Sequence, residues 1–181
     1  MSLLLLIDGY NVVAPVAPPS QSLGSRNPDL RWLHRERMQL IQRLVKHLGS
    51  DVRCRTCVVF DAANPPPDRP SQFQIEGIDV RFAVDYPEAD DLLEEIIGSH
   101  SAPKKLAVVS SDRRVQAAAR RRGSLAVDSQ QWLDDLLDGK VRLAATGHSG
   151  AGQGSERAGT EKPNQAIDDD DVERWMREFG F

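Results

Sequence analysis

The chain has 181 residues, 40% of them hydrophobic, which suits one compact domain with a real core plus a tail. Its formal net charge is −4, placed unevenly: residues 145–181 hold 4 Lys+Arg against 8 Asp+Glu, and the remainder is balanced. Overall charge therefore gives no footing for nucleic acid, which would need a local basic face. No stretch is long enough to span a membrane.

Leu3–Ile7 is a continuous apolar run. It is too short for the apolar region of a secretion signal, and no basic segment precedes it. A strand buried on both faces is expected, in a chain that stays in the cytoplasm. Residues 14–28 hold Pro15, Pro18, Pro19 and Pro28 among Ser, Gly and Asn and read as a loop. Leu30, Leu33, Ile41, Leu44, Val45 and Leu48 recur at helical spacing, and Gly49 closes that helix. Cys54 and Cys57 form a lone Cys-x-x-Cys. With no second pair and scattered His they lack the ligands of a closed zinc site, and a strand start does not lower a thiol pKa. Thr56–Phe60 is a second buried strand, ended by Asp61 and then Asn64-Pro65-Pro66-Pro67, which fits neither strand nor helix interior.

Val80–Val84 is the third predicted strand, followed by a helical stripe of Ala89, Leu92, Leu93, Ile96 and Ile97. Leu106–Val109 is the fourth. Arg113–Arg122 is a helix with Val115, Ala118 and Ala119 inward, Leu125–Val127 a short fifth strand, and Trp132, Leu133, Leu136 and Leu137 stripe another helix. This alternation predicts an α/β fold, a mainly parallel sheet of about five strands with helices on both faces. The expected organisation is a domain over 1–143, a flexible Gly/Ser/Ala/Gln-rich linker over 144–167, and a C-terminal segment over 168–181. In that segment four Asp, Asp168 to Asp171, favour a helix start. Val172, Trp175, Met176 and Phe179 form one apolar face suited to docking in a groove.

In open α/β sheets, ligands bind beyond the carboxyl ends of the strands. Acids recur there: Asp8 after the first strand, Asp61 after the second, Asp85 and Glu88 after the third with Asp90 and Asp91 opening its helix, and Asp112 after the fourth. Crowded carboxylates repel and their pKa values rise; a divalent cation removes the penalty, and oxygen-only ligands suit Mg2+ or Mn2+. Two such ions about 4 Å apart can clamp the attacking and leaving oxygens of a phosphodiester. Asp near a helix start is also often only a cap, an explanation that fits Asp128 and competes for Asp112. Asp8 stands in Asp8-Gly9-Tyr10-Asn11, where Asn11 can orient it by hydrogen bonds. At about 100° per residue the stripe after Asp85 centres between Leu92 and Leu93, with Glu88 and Asp90 at its borders and Asp91 further out, so periodicity favours Asp90 over Asp91.

Leu6-Ile7-Asp8-Gly9-Tyr10-Asn11 resembles the opening of NYN domains, especially YacP-like ribonucleases. Val58-Val59-Phe60-Asp61-Ala62 looks like that family's second-strand motif, and Glu88-Ala89-Asp90-Asp91 is similar to the acidic helix start of PIN-like and flap-endonuclease-like nucleases. Val108-Val109-Ser110-Ser111-Asp112-Arg113 resembles the family's Ser-Asp motif, and the four agree in order and spacing from Leu3 to about Lys140. The resemblance implies a PIN-like three-layer α/β/α sandwich and metal-dependent hydrolysis of RNA phosphodiesters, single-stranded RNA before flap DNA. It implies that Asp8, Asp90 and Asp112 hold metal and carry catalysis, that Asn11 supports Asp8, and that Asp61 and Asp91 are further metal candidates. Asn11 and Ser111 would touch substrate, and the groove for the C-terminal segment would belong to this domain, to a second copy or to a partner, for which the resemblance implies the ribosome. Asp-Tyr-Pro at 85–87 departs from the Thr more often found there, which leaves the role of Asp85 open.

Arg113 and Arg114 lie in a first helical turn, where the dipole disfavours cations. Bound substrate phosphate would justify them there. Arg120 to Arg122 and the basic residues of the first long helix, Arg31, Arg35, Arg37, Arg43 and Lys46, read as solvated faces. A haloacid-dehalogenase-type phosphatase also starts with Asp after a first strand, but needs a second acid where Tyr10 stands. A non-catalytic RNA-binding module of the same fold and a flap-endonuclease-like DNA nuclease also compete with the ribonuclease reading, since one fold hosts several activities.

Overall fold

Leu5, Leu6 and Ile7 are fully buried in strand β1 (Leu5–Asp8) because both faces of this strand are covered. The computed structural model describes residues 2–13, 30–61 and 71–144. The predicted loop over 14–28, the linker beyond Ala144 and the C-terminal segment lie outside the described residues. β1 runs parallel to β2 (Thr56–Phe60) on one side, with Asp8 opposite Val59, and parallel to β5 (Ala107–Val109) on the other, with Ile7 opposite Val109. β4 (Ile78–Phe82) adds to β2 and β6 (Leu125–Val127) to β5, both parallel. The order is β3-β4-β2-β1-β5-β6.

Side chains alternate across this sheet. Leu5, Ile7, Val58, Phe60 and Val109 face a layer made by α1 (Gly9–Val13), α2 (Leu30–His47) and α6 (Ser129–Leu137), through Val12, Leu40, Leu44, Trp132 and Leu136. Leu6, Cys57, Val59 and Val108 face α4 (Ala89–Ser99) and α5 (Arg113–Arg122), through Leu93, Ile97, Val115 and Ala119. Fully burying one such aliphatic side chain is worth about 1.5–3 kcal/mol, so the two faces hold β1 in the middle of a three-layer sandwich. A short helix, α3 (Ser50–Arg53), leads into β2.

The sheet has six strands where about five were expected. The sixth is β3 (Gln72–Ile75), antiparallel to β4, with Ile75 opposite Ile78 across the two-residue turn Glu76-Gly77. Both turn residues have positive φ, 50° and 89°, as a twisted hairpin requires. β3 is an edge strand whose Gln72 and Gln74 are exposed, so it shows no buried run, and Glu-Gly is a weaker hairpin signal than Asn-Gly. The same turn starts β4 at Ile78, two residues before the expected Val80, and Ala83 and Val84 fall beyond its end. Among the described residues, no helix is long and apolar enough to cross a membrane.

Candidate active site at the carboxyl ends of the central strands

Asp8 ends β1 and is 4% exposed. The chain turns into α1 at Gly9, where a Cβ would lie 2.2 Å from the Phe60 ring, so only glycine fits. That turn brings Asn11 back onto Asp8: its backbone N–H donates to Oδ1 at 3.2 Å and its side-chain amide donates to Oδ2. Ser110, fully buried just past β5, donates its hydroxyl to Asp8 Oδ2 at 2.9 Å and accepts the Asp112 N–H at 3.0 Å. Asp112 caps α5, its Oδ1 accepting from the backbone N–H groups of Arg114 at 2.6 Å and Val115 at 3.1 Å. The cap occupies one oxygen and leaves Oδ2 for other work.

Burial raises the Asp8 pKa above the ordinary carboxylate range and the charge of Asp112 adds to this, while hydrogen bonds from Ser110 and Asn11 oppose it. Asp90, in the first turn of α4, is pushed up to about 6, first by burial, then by the negative charges of Asp112 and Asp8, with Arg114 opposing. Three carboxylates from β1, α4 and α5 therefore share one field. Such crowding is what a bound cation relieves.

Among the described residues, no three His, Cys, Asp or Glu side chains close into a ready-made metal cage. The donor chemistry nevertheless fits a hard cation. Asp8, Asp90 and Asp112 offer carboxylate oxygens, and Mg2+ or Mn2+ is commonly held by one or two carboxylates while keeping several waters.

Asp91 pairs with Arg114, as its place off the apolar stripe allows. Asp61 follows β2, and its carbonyl accepts from Arg37 at 3.5 Å. Its carboxylate makes no hydrogen bond or ion pair among the described residues. Asp85 and Glu88 are exposed, Glu88 lying 3.8 Å from Arg114. Ser111, expected on substrate, donates to Asp128 Oδ2 at 2.8 Å and accepts the Ser129 N–H at 3.2 Å, joining the loop to the start of α6. Asp128 caps α6 as expected. Arg113 is exposed and has no ion pair among the described residues. Arg114, also expected on substrate phosphate, has its guanidinium taken up by Asp91, Glu94 and Glu88.

Two residues were missed. Ser110 binds two of the acids at once, but one serine after a buried strand carries no periodic signal. Arg37, expected on a solvated face, is buried. It donates to Tyr10 Oη, through Nε at 3.0 Å and also through Nη2, and its guanidinium carbon lies 5.4, 5.5 and 4.9 Å from the ring centres of Tyr10, Phe60 and Phe82. The aromatic faces offset part of its desolvation. Its position was a usable signal, since Arg37 lies four residues after Leu33 and four before Ile41, on the apolar stripe.

A mostly parallel sheet between two helical layers, with acids gathered at the carboxyl ends of its central strands, is the arrangement of the PIN-like α/β/α class. The model of the YacP-like NYN domain matches residues 5–178, and the chain belongs to that family of nuclease-type domains. The match runs past residue 143 and takes in most of the C-terminal residues. Among solved structures the chain is similar to Rae1 (YacP) from Bacillus subtilis, at 24% identity over 77% of this chain and 75% of that one with a TM-score of 0.51. A point mutant of the same protein matches at 22% identity over 77% of each chain, also with a TM-score of 0.51. These likenesses support the fold. No curated protein matches the chain.

Proposed function

We propose that this protein is a metal-dependent endoribonuclease that hydrolyses phosphodiester bonds in single-stranded RNA, with Mg2+ or Mn2+ as cofactor. The observation that carries this is the shared field of Asp8, Asp90 and Asp112, brought from three elements to one sheet edge. Asp8, Asp90 and Asp112 would hold the cation. When bound, it supplies acidification of a water and neutralisation of charge on the phosphoryl oxygens.

The remaining work falls to the chain. Asn11 and Ser110 fix the Asp8 carboxylate in one orientation and favour its ionised form. Asp112 is held by the backbone of the first turn of α5, so its second oxygen stands in a fixed place. Arg113, exposed in the same first turn, would take a substrate phosphate at that helix start. No serine or cysteine nucleophile is required.

The test is cleavage of a fluorescently labelled single-stranded RNA by the full chain with Mg2+, Mn2+ or EDTA. Metal-dependent internal cleavage is expected, abolished in Asp8→Asn, Asp90→Asn and Asp112→Asn with the fold retained. RNA binding without cleavage under any metal would identify a non-catalytic module. Cleavage of DNA flaps in preference to RNA would identify a flap-endonuclease-like enzyme.

A further inference from the structure

The first turn of α5 carries a residue that grips both acid-bearing helix starts. Arg114 Nε donates to Glu94 Oε1 at 2.9 Å, its Nη2 donates to Asp91 Oδ1, and its Nη1 lies 3.8 Å from Glu88 Oε2. Glu88 stands at the N-cap of α4 and the other two lie on its first turns, with Asp90 among them. The backbone N–H of the same Arg114 donates to Asp112 Oδ1 at 2.6 Å. Its side chain thus holds α4 while its main chain holds Asp112.

The apolar contact between these helices, through Leu93, Ile97, Val115 and Ala119, keeps them together. Apolar contact is non-directional and leaves their relative slide loosely set. A guanidinium fork bonded to two carboxylates is directional and sets it. Shared among three acids, the guanidinium is also a poor receptor for one more anion.

We propose that Arg114 is a positioning residue that sets the separation of Asp90 and Asp112, and so the site's affinity for its divalent cation, without contacting RNA. This rests on the metal-dependent site proposed above. Each exposed pair is worth little in stability, so the expected effect is on geometry and not on folding.

The experiment uses the full chain and Mn2+. The Mn2+ concentration giving half-maximal thermal stabilisation, and that giving half-maximal RNA cleavage, are measured for wild type, Arg114→Gln, Arg114→Lys and Glu94→Gln. RNA affinity is measured in EDTA over a salt series. Arg114→Gln should raise both Mn2+ midpoints about tenfold, the scale seen when groups supporting metal ligands are removed. Saturating Mn2+ should restore most of the cleavage, and the affinity for RNA and its salt slope should stay as in wild type. Arg114→Lys should recover part of the shift, because a point charge cannot bridge Asp91 and Glu94 as a fork does. Should Arg114→Gln fail to fold, Glu94→Gln keeps the arginine, removes no candidate metal ligand and is expected to move the midpoints in the same direction.

Unchanged Mn2+ midpoints would overturn the proposal. So would a weaker RNA affinity with a salt slope reduced by about one, the mark of a lost phosphate contact. If wild type is stabilised by Mn2+ but cuts no RNA, the ribonuclease assignment fails alone, and the stabilisation midpoints still decide the role of Arg114.

Discussion

Replacing Asp90 by Asn should stabilise the metal-free protein at neutral pH and destabilise it, relative to wild type, once metal is added. The folded-state pKa of Asp90 is about 6, against an ordinary value of 3.8. Below about pH 4 the carboxyl is protonated folded or unfolded and contributes nothing. Between the two values the folded state keeps a proton that the unfolded chain releases, so stability falls as pH rises through this window, and above about 6 the penalty is complete. A displacement from 3.8 to about 6 corresponds to at most about 3 kcal/mol. The carboxylate is only partly buried, and solvent screening reduces this to about 1 kcal/mol. In a chain of this length that is about 3 °C in melting temperature. The assay is thermal unfolding of both proteins in EDTA from pH 4 to 8, repeated with Mn2+. The variant's advantage should be absent at pH 4, grow to pH 6 and then level off. Added Mn2+ should reverse it, because only wild type has the full ligand set to bind in the native state. An advantage constant from pH 4 to 7, or a variant less stable than wild type in EDTA at pH 7, would refute the claim that these acids are crowded.

Ser110→Ala should cost about 2 kcal/mol in urea unfolding, since it leaves a buried Asp8 oxygen and the Asp112 N–H each short of a partner; cleavage should fall with it, and wild-type cleavage would show that Ser110 does not orient Asp8. Gly9→Ala should destabilise by about 2 kcal/mol, because the new Cβ overlaps the Phe60 ring; an unchanged melting temperature would show that the ring can move aside. Asp128→Ala should cost about 1 kcal/mol by removing the α6 cap. The hydrogen bond from Ser111 holds the Asp128 pKa low, so this contribution is present at neutral pH and lost as pH falls through the acid range. Urea titrations at pH 7 and pH 3 should show the difference shrinking.

The parallel core was legible because burial on both faces writes itself as continuous apolar runs, and Thr56–Phe60, Arg113–Arg122 and Leu125–Val127 have the expected bounds. β3 was not, because an edge strand with outward glutamines lacks that signature. At the candidate site, strand ends pointed to Asp8 and Asp112, and helical periodicity favoured Asp90, which feels the charges of Asp112 and Asp8, over Asp91, which pairs with Arg114. What sequence could not give was the partner of each charge. Arg114 was expected to meet phosphate because the dipole argument sees one helix at a time, whereas its partners sit on α4. Ser111 and Ser110 are adjacent and chemically identical. Only the way the chain leaves β5 turns Ser110 inward to Asp8 and Ser111 outward to Asp128.

The central place of β1 has a consequence for synthesis. Leu5 pairs with Thr56 on one side and Ala107 on the other, so β1 obtains its second neighbour about a hundred residues after it is made. At about 5–20 residues per second that delay is on the order of 5–20 s, and such long-range closure is slow in itself. Throughout that interval the growing chain carries Asp8 and then Asp90, but neither Ser110 to orient the first nor Asp112 to complete the set. For a protein of the proposed activity, the candidate site cannot be complete before the chain has been made as far as Asp112, because its acids come from β1, the start of α4 and the start of α5.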